Sequence, residues 1–186
     1  HASLISPDGT QYVTIAKSLV YGSVGIDSLA GPSEVVIIAD NLANPVYIAS
    51  DILAQAEHSE DAVTALITNS EKLAECVQIE IKQQMESLIR TKIIEKSLNS
   101  KGFIIIVKNL SEAIDIVNVK APEHLELMLT DCDKILPKIK NAGAVFIGNY
   151  SPTALGDYIA GPSHILPTYA SARFSSALGV DDFIKR

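Results

Sequence analysis

Four short apolar runs stand out along the chain: Glu34 to Ala39, Val63 to Thr68, Phe103 to Val107 and Ala144 to Ile147. Each is continuous rather than alternating, which is the pattern of strands covered on both faces. Helical spacing fills the stretches between them. Pro45 suits the first turn of a helix running to about Glu57. Asn69 or Ser70 can cap a long helix whose apolar positions Leu73, Val77, Ile81, Leu88 and Ile89 recur at helical intervals. Ser111 can cap a shorter helix holding Ala113, Ile114 and Val117, and Asp131 or Asp133 can open another that ends near Asn141. Strand and helix alternate, which predicts an α/β fold with a doubly wound, mostly parallel, Rossmann-like sheet.

The two ends read differently. Residues 1–30 hold one helix-like stretch, Val13 to Val20, and then a glycine-containing loop. They look like the remnant of a preceding unit or a linker, so residues 31–186 are expected to form the α/β domain that carries any site. After Ile147 the chain is rich in Gly, Pro, Ser and Tyr until about residue 176. That is a long loop for a compact domain, and long ordered loops tend to be functional.

Composition narrows the class. With 186 residues, 47% hydrophobic and 20% charged, the chain suits one globular domain, or one domain and a piece of another. A net charge of -7 without any Lys or Arg cluster argues against a nucleic-acid partner. The apolar runs are far too short to span a bilayer. The opening HASLISPDGT lacks the features of a signal peptide, and there is no initiator Met, so a longer natural chain is expected, and the sequence leaves open whether residues 1–10 are native. Cys76 and Cys132 have no CxxC partner, and a reducing compartment, the cytoplasm or a plastid stroma, fits best. Cys76 reads as a small buried hydrophobe in a helix.

Three places carry candidate chemistry. Gln55 and His58 are three apart near a helix end, so they share a face, and an amide oxygen with an imidazole can bind a divalent metal. Spacing alone favours the plainer reading, a polar helix terminus with His58 meeting the dipole. Pro122 can start a helix with Glu123 and His124 in its first turn. A carboxylate beside an imidazole suits proton transfer, although the pair taken alone favours the plainer reading, a helix-terminal charge and an incidental surface histidine. The loop from Gly148 to His164 brings Asp157 and His164 after the last strand. Ligands in open parallel sheets gather at the carboxyl ends of strands, so a cleft is expected there. Turn chemistry is the alternative for these residues and for Ser33 in Gly31-Pro-Ser-Glu34. The chain contains no GxGxxG, no P-loop and no GxSxG.

Together the strings AGPSEVVIIAD, DILAQAEH, APEHLELM, GDYIAGPSHILPT and ARFSS, in this order and spacing, resemble the histidinol dehydrogenase family from about Gln11 to Arg186. The resemblance implies that Gln55, His58 and Asp157 are zinc ligands that also bind substrate. It implies that Glu123 and His124 form the acid–base pair, with His124 also touching substrate. Ser33 matches a substrate-contacting serine, and His164 lies in a loop closing around substrate. The family oxidises L-histidinol through L-histidinal to L-histidine with two NAD in turn and works as a homodimer. Its histidine takes the alcohol proton, its glutamate activates water for the second step, and zinc serves as template and Lewis acid.

Three departures matter. The family's chain is longer at the N-terminus, where most NAD contacts lie. It also continues past the equivalent of Arg186 to supply a further zinc ligand, a histidine, to the neighbouring subunit. Thr10 stands where the family has a cofactor-binding Asn. The chain is therefore expected to be an internal or C-terminal fragment with an incomplete sheet, inactive alone. The competing readings are a catalytically silent α/β binding or assembly module and a different metal-dependent hydrolase. The retained set of Gln55, His58, Glu123, His124 and Asp157 speaks against the first, and the family motifs against the second.

Overall fold

The structure, a computed structural model, describes residues 4–5 and 11–184. A two-stranded parallel pair, β1 (Leu4–Ile5) and β2 (Gly25–Ile26), flanks α1 (Gln11–Val20). The main body then runs β3 (Glu34–Ala39), α2 (Pro45–His58), β4 (Val63–Thr68), α3 (Glu71–Met85), α4 (Thr91–Lys101), β5 (Gly102–Ile106) and α5 (Leu110–Lys120). It continues through β6 (His124–Met128), α6 (Cys132–Ile135), β7 (Ala144–Ile147) and α7 (Thr153–Tyr158). The last five strands form one parallel sheet in the order β5-β4-β3-β6-β7. The chain winds outward from β3, then crosses back to place β6 on β3's other side, the doubly wound topology expected.

Both faces of the sheet are covered. On one, Val36, Ile38, Ala65, Ile67, Leu125 and Leu127 pack with Ala113, Ile114 and Val117 of α5. On the other, Val35, Ile37, Leu66 and Met128 pack with Ile48 and Ile52 of α2 and Leu73 and Val77 of α3. β3 is buried at all six positions, which explains its unbroken apolar run. The edge strand β5 leaves Phe103 and Ile106 open to solvent. No helix among the described residues is long and apolar enough to cross a membrane. Cys76 and Cys132 are free thiols, both half-buried.

Four local expectations need correction. Pro122 opens no helix. α5 closes on Ala121 in the left-handed region (φ 49°, ψ 63°), and the chain leaves extended into β6. Period two fits His-Leu-Glu-Leu-Met: Leu125 and Leu127 join the α5-side core, while Met128 joins the α2-side core with His124 and Glu126 on its side of the strand. The polar pair hid the strand from a search for apolar runs. Second, the long helix from residue 70 ends at Met85, and Ile89 is 97% exposed in the link. A separate helix, α4, follows and buries Ile94 and Ser97. Third, the α5 cap is Asn109, whose side chain accepts the Glu112 N–H, rather than Ser111. Fourth, α6 is a single turn that passes into a 3-10 turn at Leu136–Lys138, so no helix reaches Asn141. Ser70, not Asn69, caps α3.

Candidate functional site

The site residues meet at the amino ends of the strands, not at the carboxyl ends. Ser33 directly precedes β3, Glu123 directly precedes β6, and His124 is the first residue of β6, paired in register with Val35. α2 starts beyond the carboxyl end of β3 and runs back, so its last turn brings Gln55 and His58 to the amino ends. There the Val63 N–H at the start of β4 bonds the Ser33 carbonyl. The segment after β7 also folds back. The Thr153 N–H, at the start of α7, reaches Glu126 of β6, and the Tyr169 N–H reaches Glu34. Asp157 and His164 travel with this segment. The carboxyl-end rule fails because helix and loop return past the sheet before presenting their side chains.

One cavity of about 350 Å³ is lined by Ser33, Gln55, His58, Glu123, His124, Asp157 and His164, together with residues of α7. All seven candidates that fall on described residues therefore share one cleft, and Thr10 lies outside the described residues. A second cavity of about 510 Å³ adjoins it along Ser33, His58, Glu123 and His164. On its far side, Lys17 of α1 and Asp27 form a buried ion pair at 2.7 Å.

The backbone of Glu34 organises the acid–base pair. Its N–H donates to Glu123 Oε2 at 2.8 Å, and its carbonyl lies 3.0 Å from His124 Nδ1. A carbonyl only accepts, so Nδ1 carries the ring proton and Nε2 is left as a free base. Glu123 Oε2 stands 3.5 Å from Nδ1, too far for a second strong bond. Burial pushes the Glu123 carboxyl up to about 8, and the negative charges of Glu34 and Asp157 add to the rise against the lowering effect of the Glu34 N–H bond. Burial pushes His124 down, opposed mainly by its bond to Glu34. The Glu34 side chain is itself buried and is held by the Lys120 ammonium and the Tyr169 N–H. Gly143 permits the approach of β7 to this corner, because a Cβ there would lie 2.6 Å from the Glu123 carbonyl oxygen.

The donors facing the cavity suit zinc by type: the Gln55 amide oxygen, the His58 imidazole and the Asp157 carboxylate. Among the described residues, no three His, Cys, Asp or Glu side chains cluster closely enough to hold a metal by themselves. A three-ligand set that includes an amide is consistent with both observations. The described residues offer no comparable fit for a dinucleotide. The β3–α2 junction, Asp40-Asn-Leu-Ala-Asn44, contains no glycine to admit a pyrophosphate.

Two carboxyl groups behind the cavity, one buried and one half-buried, were not among the candidates read from the sequence. Glu126 is 1% exposed, and its pKa rises to about 9 through burial and the neighbouring Asp51. Asp51, on α2, rises to about 6 through burial. Period-two spacing from His124 was the available signal for Glu126, visible once the segment is read as a strand.

The family model for histidinol dehydrogenase matches residues 1–186. The histidinol dehydrogenase of Desulfotalea psychrophila is 52% identical over 178 residues, which are 96% of this chain and 41% of that protein. That of Bradyrhizobium diazoefficiens is 51% identical over 185 residues, covering 100% of this chain and 43% of its own. The crystal structure of histidinol dehydrogenase from Elizabethkingia anophelis is similar with a TM-score of 0.94 at 39% identity, over 98% of this chain and 42% of that one. The chain thus spans about two-fifths of the length of the relatives it matches. Sequence and fold agree along nearly the whole of it: the chain belongs to the histidinol dehydrogenase family.

Proposed function

We propose that this chain is the part of a histidinol dehydrogenase that binds zinc and L-histidinol and holds the acid–base pair for oxidation to L-histidine. The observation that carries the reading is the shared cavity, where Ser33, Gln55, His58, Glu123, His124, Asp157 and His164 meet although they are spread over 132 positions from 33 to 164. Gln55, His58 and Asp157 would hold zinc, which supplies Lewis acidity and a template for the amino-alcohol. His124 Nε2, unprotonated by its tautomer, accepts the alcohol proton of the first oxidation. Glu123 keeps its proton until about pH 8 and then serves as the base that draws a proton from water in the second. Ser33 and His164 border the same space and contact the substrate.

NAD as the oxidant, assembly into a homodimer and a cytoplasmic or plastid setting belong to the same proposal and rest on family membership. Residues 1–30 are taken as the edge of a preceding unit, with residues 31–186 as the domain carrying the site. The reading is tested in a full-length enzyme carrying this segment: His58→Ala should abolish tight zinc binding in a calorimetric titration. Unchanged zinc affinity in that variant overturns the ligand assignment.

A further inference from the structure

Behind the cavity wall lies a pair of acids that the proposed chemistry does not use. Glu126 sits two residues after His124 on β6, pointing to the same side of the sheet. Its Oε1 accepts the Thr153 N–H at 3.0 Å, while its Oε2 is buried with no conventional donor among the described residues. The group that faces it is another carboxyl, Asp51 of α2. Asp51 also borders the chain leading into α7, sharing a shallow cavity with Tyr150, Pro152 and Leu155. Two carboxyl groups in contact bond only when one of them keeps its proton and donates it to the other.

This geometry ties together the three elements that carry the site. Asp51 precedes Gln55 by four residues and His58 by seven along α2, so all three lie along one side of the helix. Thr153 opens α7 and precedes Asp157 by four. Glu126 holds both helices to β6, the strand of His124. We propose that Asp51 and Glu126 are positioning residues: their O–H···O bond, with the Thr153 N–H on Glu126, locks α2 and α7 against β6 and sets the spacing of Gln55, His58 and Asp157 across the cavity. Burial raises both carboxyl groups, which keeps the shared proton in place at neutral pH. The inference rests on the zinc reading above only for what the spacing serves.

The test uses the 186-residue chain with zinc alone, read by calorimetry, and without metal, read by amide exchange at Thr153. Glu126→Leu keeps bulk but removes both bonds. Glu126→Gln keeps an oxygen for Thr153 and offers an N–H to Asp51. Glu126→Leu should weaken zinc binding by on the order of tenfold or more, the usual effect of losing a partner behind a metal ligand, and speed Thr153 exchange. Glu126→Gln should stay close to the parent chain in both. The proposal is overturned if Glu126→Leu folds and leaves both readouts unchanged, or if Glu126→Gln is as damaging as Leu. Should Glu126→Leu fail to fold by circular dichroism, Asp51→Leu, from the half-exposed end of the pair, decides by the same readouts. If His58→Ala leaves the zinc affinity of the parent chain unaltered, the zinc reading fails; in that case, or if the chain without the family's further ligand binds no zinc, Thr153 exchange alone decides whether the lock exists.

Discussion

His124 and Glu123 receive opposite treatment from the same burial. The imidazole is kept neutral, with its Nδ1 proton spent on the Glu34 carbonyl, while the carboxyl is kept protonated. In a full-length enzyme, His124→Asn preserves much of the shape but removes the Nε2 base. Its first oxidation should slow by on the order of a hundredfold or more, read as NADH formation from histidinol; near-normal turnover would remove His124 from that role. Glu123 makes a thermodynamic prediction as well. Its folded pKa, about 8, lies above the ordinary 4.5. Stability from this group is fully present below about pH 4.5 and is lost as pH rises to 8, because the unfolded chain releases a proton that the folded chain retains. Glu123→Gln has no such proton. Thermal melts should therefore show the variant gaining on the parent between pH 4.5 and 8, by on the order of 1 kcal/mol or more. A constant difference across that range would contradict the raised pKa.

At the scale of elements, the site is held by joints rather than by the strands alone. α5 stops at left-handed Ala121, which turns Glu123 toward β3, and β7 closes in through Gly143. Gly143→Ala would drive a methyl into the Glu123 carbonyl. We expect a loss of about 1–3 kcal/mol in denaturant unfolding, accompanied by altered titration of Glu123. A neutral outcome would mean that β7 can shift without cost. The Asp51–Glu126 contact is a joint of the same sort, one layer deeper, and its predicted effect on zinc binding belongs here.

For the molecule as a whole, the decisive feature is that helix and loop return to the amino ends of the sheet. The α/β core, with strands buried on both faces, lies within residues 31–150 and should fold in the 186-residue chain. Chemistry is another matter. The described residues supply three candidate zinc ligands and no dinucleotide cradle, and hydride transfer needs the cofactor held within reach of the substrate carbon. The isolated chain should give a cooperative melt yet little or no NADH from histidinol. Robust turnover by this chain alone would show that it carries cofactor contacts not identified among these residues.

Much of this architecture was legible without coordinates. Continuous apolar runs announced β3, β4, β5 and β7; in β3 and β4 the run follows from burial on both faces, which leaves no polar side to display. Pro45 marked the start of α2, since its fixed φ suits a first helical turn. The motifs also identified which side chains to gather, since each string names its own residues. Local pattern could not reveal β6, whose α2-facing positions are the polar His124 and Glu126, nor separate α4 from α3, since Leu88 and Ile89 mimic a continuing stripe. Only the tertiary structure decided the end of the sheet on which the site lies, the tautomer of His124 and the contact of Asp51 with Glu126. These depend on groups distant in sequence: Glu34 and His124 are 90 positions apart, and Asp51 and Glu126 are 75 apart. Hydrogen bonding and burial between such groups exist only once the chain has closed on itself.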